Sequence, residues 1–273
     1  MKVMVTRPAR EALDWVHRLQ EAGFVACGLP LIDIAGPPDA HRVAQAWQQL
    51  LSFNAVMFVS GNAVDYFFAS KPALGPAHFA QPAIKMRAFV TGPGSLAALL
   101  RAGVDPAMID VPHASLGQFD SEALWAVMGH RVIPGYRVLV VRGSTFRAKP
   151  ADYDDSGVGR DWFSKQVIAA GGEVEFVVSY QRRCPELTPH MHASIQSAVS
   201  GNAVWLFSSS EALANLLGLP SLQDVDWRGA SAIATHPRIE AAVRAAGWGV
   251  VAASRPALED IRVALASLES HHP

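Results

Sequence analysis

Short apolar runs alternate with helical periodicity along most of the chain. Runs typical of buried strands occupy residues 2–5, 55–59, 88–90 and 109–111, and a helical segment follows each of them after a turn. Strands that alternate with helices at this spacing are typical of parallel sheets covered by helices. The pattern therefore predicts an α/β protein.

The second half of the chain repeats the elements of the first half in the same order. The matching segments are 137–143 with 2–7, 202–210 with 54–60 and the turn after it, 232–247 with 89–103, and 250–258 with 111 and the helix after it. This repeated order predicts two similar α/β domains. Two divisions fit it: tandem domains separated near Gly129, or residues 1–34 packing with the C-terminal segments.

Charge and composition exclude several classes of partner. The 273 residues carry a formal net charge of −1, so no overall field attracts nucleic acid or an anionic membrane. The two cysteines, Cys27 and Cys184, form neither a CxxC pair nor a disulfide framework, which favours a reduced, cytoplasmic protein. The sequence shows neither a secretory leader nor an apolar run long enough to span a membrane. We therefore expect no nucleic-acid partner and no membrane partner.

Hydroxyl and glycine residues gather in the turns that follow the predicted strands. In parallel α/β sheets the ligand lies beyond the carboxyl ends of the strands, where helices begin. Free N–H groups and hydroxyls at these points suit carboxylates and phosphates, although any one Ser or Thr there also suits helix capping. The turns are 6–8, 60–62, 91–95, 142–143, 208–210 and 235–238.

No motif in the sequence indicates a nucleotide, a metal or a serine nucleophile. A GxGxxG fingerprint starting at Gly92 would require glycine at Ala97, and GxxxxGK[ST] is absent. The run 152–157 resembles the start of a calcium loop but has Phe163 where a bidentate Glu is needed. The histidines form no HExxH pair, and no GxSxG elbow precedes the hydroxyl turns. We expect no cofactor and no bound metal.

One extended run, residues 177–185, carries a Tyr and a pair of Arg between two α/β segments. Val177 and Val178 favour a strand, and Pro185 keeps the residue before it out of the helical region. A Tyr180 in such a position has its hydroxyl near any cleft that the domains enclose. The alternative is an exposed linker with a Tyr that only packs.

Together these turns and runs resemble the uroporphyrinogen-III synthase family. The likeness covers nearly the whole chain, and the order of the motifs makes it specific. The matching segments are Val5-Thr6-Arg7-Pro8, Leu29-Pro30-Leu31 and Ile34, Ser60-Gly61-Asn62-Ala63-Val64, Gly92-Pro93-Gly94-Ser95, Asp120-Ser121-Glu122-Ala123-Leu124, 138–143, Tyr180-Gln181-Arg182-Arg183 with Pro185, and Phe207-Ser208-Ser209-Ser210.

The resemblance implies two flavodoxin-like, three-layer α/β domains of parallel sheets, joined by a two-stranded β linker with a cleft between them. Domain 1 is then discontinuous, comprising residues 1–34 and 184–273, and domain 2 comprises residues 37–177. The linkers are about 31–36 and 178–185.

The resemblance also implies a cofactor-independent lyase of heme biosynthesis. We take a cytoplasmic monomer as the default expectation. The implied substrate is hydroxymethylbilane, a linear tetrapyrrole with eight carboxylates, which loses water, inverts its terminal (D) ring and closes as uroporphyrinogen III. Tyr180 is the implied acid for the departing hydroxyl. The implied substrate-binding residues are Arg7, Ser60, Asn62, Gly92, Ser95, Arg142, Arg160, Ser208, Ser209, Ser210, Thr235 and Arg238.

Two segments depart from the family pattern. The expected Gly-Pro-Thr-Thr turn reads His236-Pro237-Arg238-Ile239, so its Thr is either replaced by Arg238 or shifted to Thr235. The Gly-x-x-Gly-Arg run is interrupted, since the Asp-rich insertion at 146–158 displaces Gly159-Arg160.

Two other functions fit the same α/β pattern. A two-domain small-molecule binding or sensor protein would clamp its ligand without catalysis. A nucleotide-dependent reductase is disfavoured because its fingerprint is missing.

Overall fold

The computed structural model describes residues 1–72, 86–113, 119–145, 161–200 and 203–269. The chain forms two compact units: unit 1 is Met1–Asp33 with Arg183–Pro273, and unit 2 is Ile34–Arg182. Arg160 and the insertion at 146–158 lie outside the described residues. Within the described ranges no helix is both long and apolar enough to cross a membrane.

Strands and helices alternate in both units. The strands are β1 (Lys2–Val5), β2 (Val25–Gly28), β3 (Asp33–Ala35), β4 (Ala55–Phe58), β5 (Arg87–Val90), β6 (Ile109–Asp110), β7 (Arg137–Thr145), β8 (Glu173–Arg183), β9 (Ala203–Phe207), β10 (Ser231–Ala234) and β11 (Val250–Ala253). The helices are α1 (Ala9–Glu21), α2 (Ala40–Gln48), α3 (Gly61–Ala69), α4 (Pro93–Arg101), α5 (Ser121–Met128), α6 (Trp162–Ala169), α7 (Pro189–Ser200), α8 (Ser210–Leu217), α9 (Pro237–Ala245) and α10 (Leu258–Glu269).

Unit 1 is built on a parallel sheet with the strand order β11-β10-β9-β1-β2. Its strands are continuous apolar runs because helices cover both faces of the sheet. Val3 and Val5 pack with α1 and α10 on one face. On the alternate positions of β9, Trp205 and Phe207 stack at 6.2 Å between ring centroids. This is the flavodoxin-like strand order.

Unit 2 repeats the same arrangement in the order β8-β7-β4-β5-β6, with β3 added beside β8. The five repeated strands are mutually parallel. The central pairs are in equivalent register, since Val5 lies opposite Leu206 in unit 1 and Val141 lies opposite Phe58 in unit 2. The predicted duplication into two similar parallel α/β folds is therefore confirmed.

Helices cover both faces of the unit 2 sheet. Helices α2, α3 and α4 bury one face in a cluster that includes the Trp47–Phe67 stack, with ring centroids 4.6 Å apart. Helices α5 and α6 bury the other face around Phe163. The two clusters use alternate residues of the central strands, as the period of two in a strand requires.

Strands β3 and β8 contain the points at which the chain passes between units. Residues 1–33 group with residues 183–273, so unit 1 is discontinuous in sequence. Most of the run 178–185 continues β8 and lies within the unit 2 sheet as far as Arg182. The hydroxyl of Tyr66 on α3 donates to the Ile34 carbonyl in β3 over 2.7 Å.

Unit 1 contains a close backbone approach at Gly249. The stacked rings of Trp227 and Trp248, 4.0 Å apart, bring the chain before β11 onto the segment at Arg228. A Cβ added at Gly249 would lie 2.8 Å from the Arg228 carbonyl carbon and closer still to its oxygen, whereas a Cβ at Gly229 would meet nothing within 4 Å. The position therefore has space only for glycine.

We predict that Gly249→Ala lowers the free energy of unfolding by about 1 to 3 kcal/mol, because the backbone must move to admit the methyl group. Gly229→Ala is the matched control and should stay within about 0.5 kcal/mol of the unsubstituted protein. Urea unfolding followed by tryptophan fluorescence measures both. Equal stability of the two variants would contradict the close approach.

Candidate active site

Each sheet has one point where the strand order reverses, and ligands of such folds bind at the carboxyl ends of the strands on either side of it. In unit 1 this point lies between β1 and β9, and in unit 2 it lies between β7 and β4. The predicted hydroxyl turns 6–8 and 208–210 follow the first pair of strands. The turn 60–62 follows β4, and residues 142–143 lie near the end of β7.

The hydroxyls at the unit 1 switch point divide into two kinds. Thr6 is buried and donates from Oγ1 to the Leu206 carbonyl at 2.8 Å, which ties β1 to β9. Ser209 caps α8 by accepting from the Glu211 N–H at 3.1 Å. The Oγ atoms of Ser208 and Ser210 are buried and have no hydrogen-bond partner among the described residues. These two hydroxyls can accept a ligand.

The guanidinium of Arg7 lies in the turn after β1. It stacks over Trp15, with Cζ 4.7 Å from the ring centroid, and donates from Nη1 to Glu11 at 3.2 Å. Its Nε is buried and lacks a hydrogen-bond partner within the part of the chain that the structure describes. Burial lowers the pKa of Arg7 against the opposing effect of Glu11, yet an arginine remains charged at neutral pH.

The turn after β10 explains the departure at His236. His236 is the N-cap of α9, and its Nδ1 accepts from the Arg238 N–H at 3.1 Å. Gly92 is the N-cap of α4, and both helices have Pro at their first position. Thr235 therefore follows β10 as Thr91 follows β5, while Arg238 is exposed in the first turn of α9.

In unit 2 the hydroxyls of Ser60 and Tyr180 lie 3.1 Å apart. Ser60 is also the N-cap of α3, and its Oγ accepts from the Ala63 N–H at 3.1 Å. Tyr180 is 4% exposed, and its ring stacks on Tyr66 with centroids 6.0 Å apart. The Tyr180 hydroxyl is thus held at the carboxyl end of β4, where helix α3 begins.

A β-bulge directs Tyr180 to this position. Arg142 pairs with Val178 and Gly143 pairs with Tyr180, so Ser179 is an extra residue on β8. In regular alternation Tyr180, three residues after Val177, would lie on the opposite face of the sheet, but the bulge shifts the alternation and both residues pack in the cluster that contains α3. Ser179 donates to the Ala63 carbonyl at 3.1 Å, so two successive residues of β8 bond to the first turn of α3.

The Tyr180 ring lies against the backbone of Gly143. A Cβ at this glycine would overlap the ring, at 2.6 and 2.7 Å from its two Cε atoms. Any side chain at position 143 would displace the ring. Gly143 is therefore as necessary to the position of the phenol as the bulge itself.

The other predicted site residues of unit 2 differ in burial and in the face of the sheet on which they lie. Arg142 continues the face of Val138 and Val140, so it lies across the sheet from Tyr180, over the ring of Phe176 at 4.0 Å. Ser95 is buried in α4, and Asn62 and Gly92 are partly exposed at the starts of α3 and α4. Arg160 lies outside the described residues.

The sequence prediction missed several residues around the phenol. Gly143 is a glycine inside an apolar strand, and that is a recognised signal of close backbone approach. Tyr66 packs against the cluster that contains Val64 and Phe67, so its sequence signal was that of a core residue. Ser179 looked like an ordinary strand residue. Ser144 has a buried Oγ that lacks a hydrogen-bond partner in the described ranges.

The repeated strand order and the polar strand ends define a two-unit, flavodoxin-like α/β protein. A model of the uroporphyrinogen-III synthase family, HemD, matches residues 14–262. The chain therefore belongs to the uroporphyrinogen-III synthase family.

Solved structures with the same fold align over nearly the whole chain. A mutant uroporphyrinogen III synthase from the extremely thermophilic bacterium Thermus thermophilus is 15% identical, and the match covers 99% of this chain and 98% of that one with a TM-score of 0.54. Uroporphyrinogen-III synthetase from Helicobacter pylori is 16% identical, with 98% and 100% covered and a TM-score of 0.57. Identities this low establish the fold alone. A search of curated proteins finds no significant match.

We predict that Gly143→Ala lowers the free energy of unfolding by about 1 to 3 kcal/mol because the methyl group overlaps the Tyr180 ring. In a Tyr180→Ala background the same substitution should cost less than about 0.5 kcal/mol, since the ring is gone. A double-mutant cycle in urea measures this coupling. Additive effects of the two substitutions would show that the ring does not lie on Gly143.

Proposed function

We propose that this protein is a uroporphyrinogen-III synthase, a lyase that converts hydroxymethylbilane to uroporphyrinogen III in heme biosynthesis. The observation that carries the proposal is the family match, which extends through both units. The reaction removes water from a linear tetrapyrrole, inverts the terminal ring and closes the macrocycle. No step requires the transfer of electrons or of a group from a cofactor.

The polar groups of unit 1 that have no hydrogen-bond partner among the described residues suit the carboxylates of this substrate. Ser208 and Ser210 offer hydroxyls, Arg7 offers Nε–H, and helix α8 begins at the same place with its positive dipole end. Hydrogen bonds to a charged group contribute more than neutral ones, about 1.5 to 3 kcal/mol each. These groups account for the binding of a polycarboxylate by a protein whose net charge is only −1.

Tyr180 is the proposed acid. The departing hydroxyl needs a proton, and the phenol donates it while the pyrrole nitrogen supplies most of the driving force from within the substrate. The proton that the new macrocycle loses on ring closure restores the phenol. Because the substrate itself drives the cleavage, Tyr180 should contribute at or below the lower end of the usual range for general acids.

Positioning of the terminal ring is the second proposed task. The ring must present its substituted carbon rather than its free carbon to the electrophilic carbon left by water loss. Holding one conformer near the reacting atoms is what multiple fixed carboxylate contacts achieve. Selectivity for isomer III would then come from binding, and the rate in part from Tyr180.

The direct test is the product isomer. The purified protein is incubated with freshly generated hydroxymethylbilane, and the uroporphyrinogens are oxidised and separated by chromatography. We expect isomer III in excess. If only isomer I forms, which is the product of spontaneous closure, the proposed function is wrong.

We predict that Tyr180→Phe slows turnover by about 10- to 100-fold, because it removes only the proton donor. Tyr136→Phe is the matched control: Tyr136 packs on the other face of the same sheet and should keep full activity. Initial rates of isomer III formation measure both variants. Full activity of Tyr180→Phe would remove this residue from the mechanism.

A further inference from the structure

Ser60 has only one hydrogen to give, and its surroundings indicate where that hydrogen goes. A serine hydroxyl has one O–H and two lone pairs. One lone pair of Ser60 accepts the Ala63 N–H at 3.1 Å. The Tyr180 hydroxyl, also at 3.1 Å, is the second neighbour of the Ser60 oxygen. Either hydroxyl can be the donor in this second contact, so the direction depends on which group takes the phenol hydrogen.

Donation from Ser60 to Tyr180 is the direction that an acid role of Tyr180 requires. The phenol has one hydrogen, and when the departing hydroxyl takes it, only the Ser60 O–H can supply the hydrogen that lies between the two oxygens. The Ala63 N–H also withdraws charge from the Ser60 oxygen at the positive end of α3, which strengthens Ser60 as a donor. In this direction the hydrogen of Tyr180 points away from Ser60.

The geometry points to Ser60 as a positioning residue for Tyr180 rather than a substrate-binding residue. Ser60 donates to the phenol oxygen, so the phenol hydrogen is left for the departing hydroxyl, and the phenolate formed by the transfer keeps the Ser60 hydrogen bond. The inference rests on the proposed function, in which Tyr180 is the acid.

The corresponding serine of unit 1 has different surroundings. Ser208 directly follows β9, and Ser60 follows β4 after one intervening residue. The Oγ of Ser208, however, has no hydrogen-bond partner in the described part of the chain. The helix cap in unit 1 is instead the next residue, Ser209. Among the described residues, only Ser60 of unit 2 uses one hydroxyl both to cap a helix and to contact a phenol. The Ser179 bond to Ala63 holds β8 against the same turn and keeps the Ser60–Tyr180 geometry fixed.

Three substitutions at Ser60 separate the possible roles. Ser60→Thr keeps both the cap and the donor. Ser60→Asp keeps the cap acceptor but has no hydrogen to donate, and its carboxylate would draw the Tyr180 hydrogen inward. Ser60→Ala removes both. Asp39→Ala controls for the loss of a cap in unit 2, since Asp39 accepts from the His41 and Arg42 N–H groups in the first turn of α2.

In steady-state kinetics the variants should differ according to whether residue 60 can donate a hydrogen to Tyr180, and not according to whether the helix cap is kept. We expect kcat within about threefold of the unsubstituted protein for Ser60→Thr and Asp39→Ala, and about tenfold lower for Ser60→Ala and Ser60→Asp, with KM changed less than about threefold. In a Tyr180→Phe background Ser60→Ala should not lower kcat further. A raised KM at unchanged kcat would make Ser60 a substrate-binding residue, and a fully active Ser60→Asp would show that Tyr180 is the donor.

A spectroscopic readout keeps the inference testable apart from activity. The chain has four tyrosines, so ¹³Cζ-tyrosine labelling gives a spectrum in which loss of one signal in Tyr180→Phe assigns that residue. The Tyr180 signal should move in Ser60→Ala and Ser60→Asp and stay in place in Ser60→Thr. An unmoved signal in Ser60→Ala would overturn the hydrogen bond even in an active enzyme. Isomer I alone from the unsubstituted protein would overturn the proposed function while leaving this signal interpretable.

Discussion

The contact between the Tyr180 ring and the backbone of Gly143 is the constraint on which the candidate site depends. It requires a residue without a side chain on β7 and an extra residue, Ser179, on β8. The extra residue turns the phenol to the face that α3 covers, and the missing Cβ lets the ring settle there. The Ser60 contact, the Tyr66 stack and the capped start of α3 then fix the hydroxyl at the carboxyl end of β4.

Duplication supplied two copies of one scaffold, and the chemistry of the copies has diverged. Both units have the same strand order and the same central register, so each has a switch point with helix starts facing it. In unit 1 the hydroxyls at that point, those of Ser208 and Ser210, are buried and have no hydrogen-bond partner among the described residues. In unit 2 Ser60 is engaged by Tyr180. We therefore propose that unit 1 holds carboxylates and that unit 2 holds the proton donor.

The fold was predictable because strands buried on both faces are written as continuous apolar runs. The run 55–59 corresponds to β4, and the run 2–5 coincides with β1. The turns after these strands were predictable for the same reason, since hydroxyls and glycine mark the point where a strand gives way to a helix. Such runs cannot show which hydrogen-bond partner a hydroxyl acquires from a neighbouring strand.

Two features of the site could not be predicted from the sequence, and each has a physical reason. Arg142 was assigned to a turn, but β7 continues to Thr145, so the residue stays within the strand and follows its alternation onto the face of Phe176. The bulge at Ser179 depends on pairing between β7 and β8, which a single strand does not encode. Gly143 alone carried a readable signal, because an interior strand glycine leaves room for another group.

The division of labour between the two serine turns is the central claim, and product binding tests it most directly. The dissociation constant of uroporphyrinogen III, kept reduced in an anaerobic calorimeter, is compared for Ser60→Ala and for the double variant Ser208→Ala/Ser210→Ala. We expect the double variant to bind about tenfold or more weakly, because two hydrogen bonds to carboxylate are lost, and Ser60→Ala to bind within about twofold of the unsubstituted protein. Weakening by Ser60→Ala as large as that of the double variant would contradict the account.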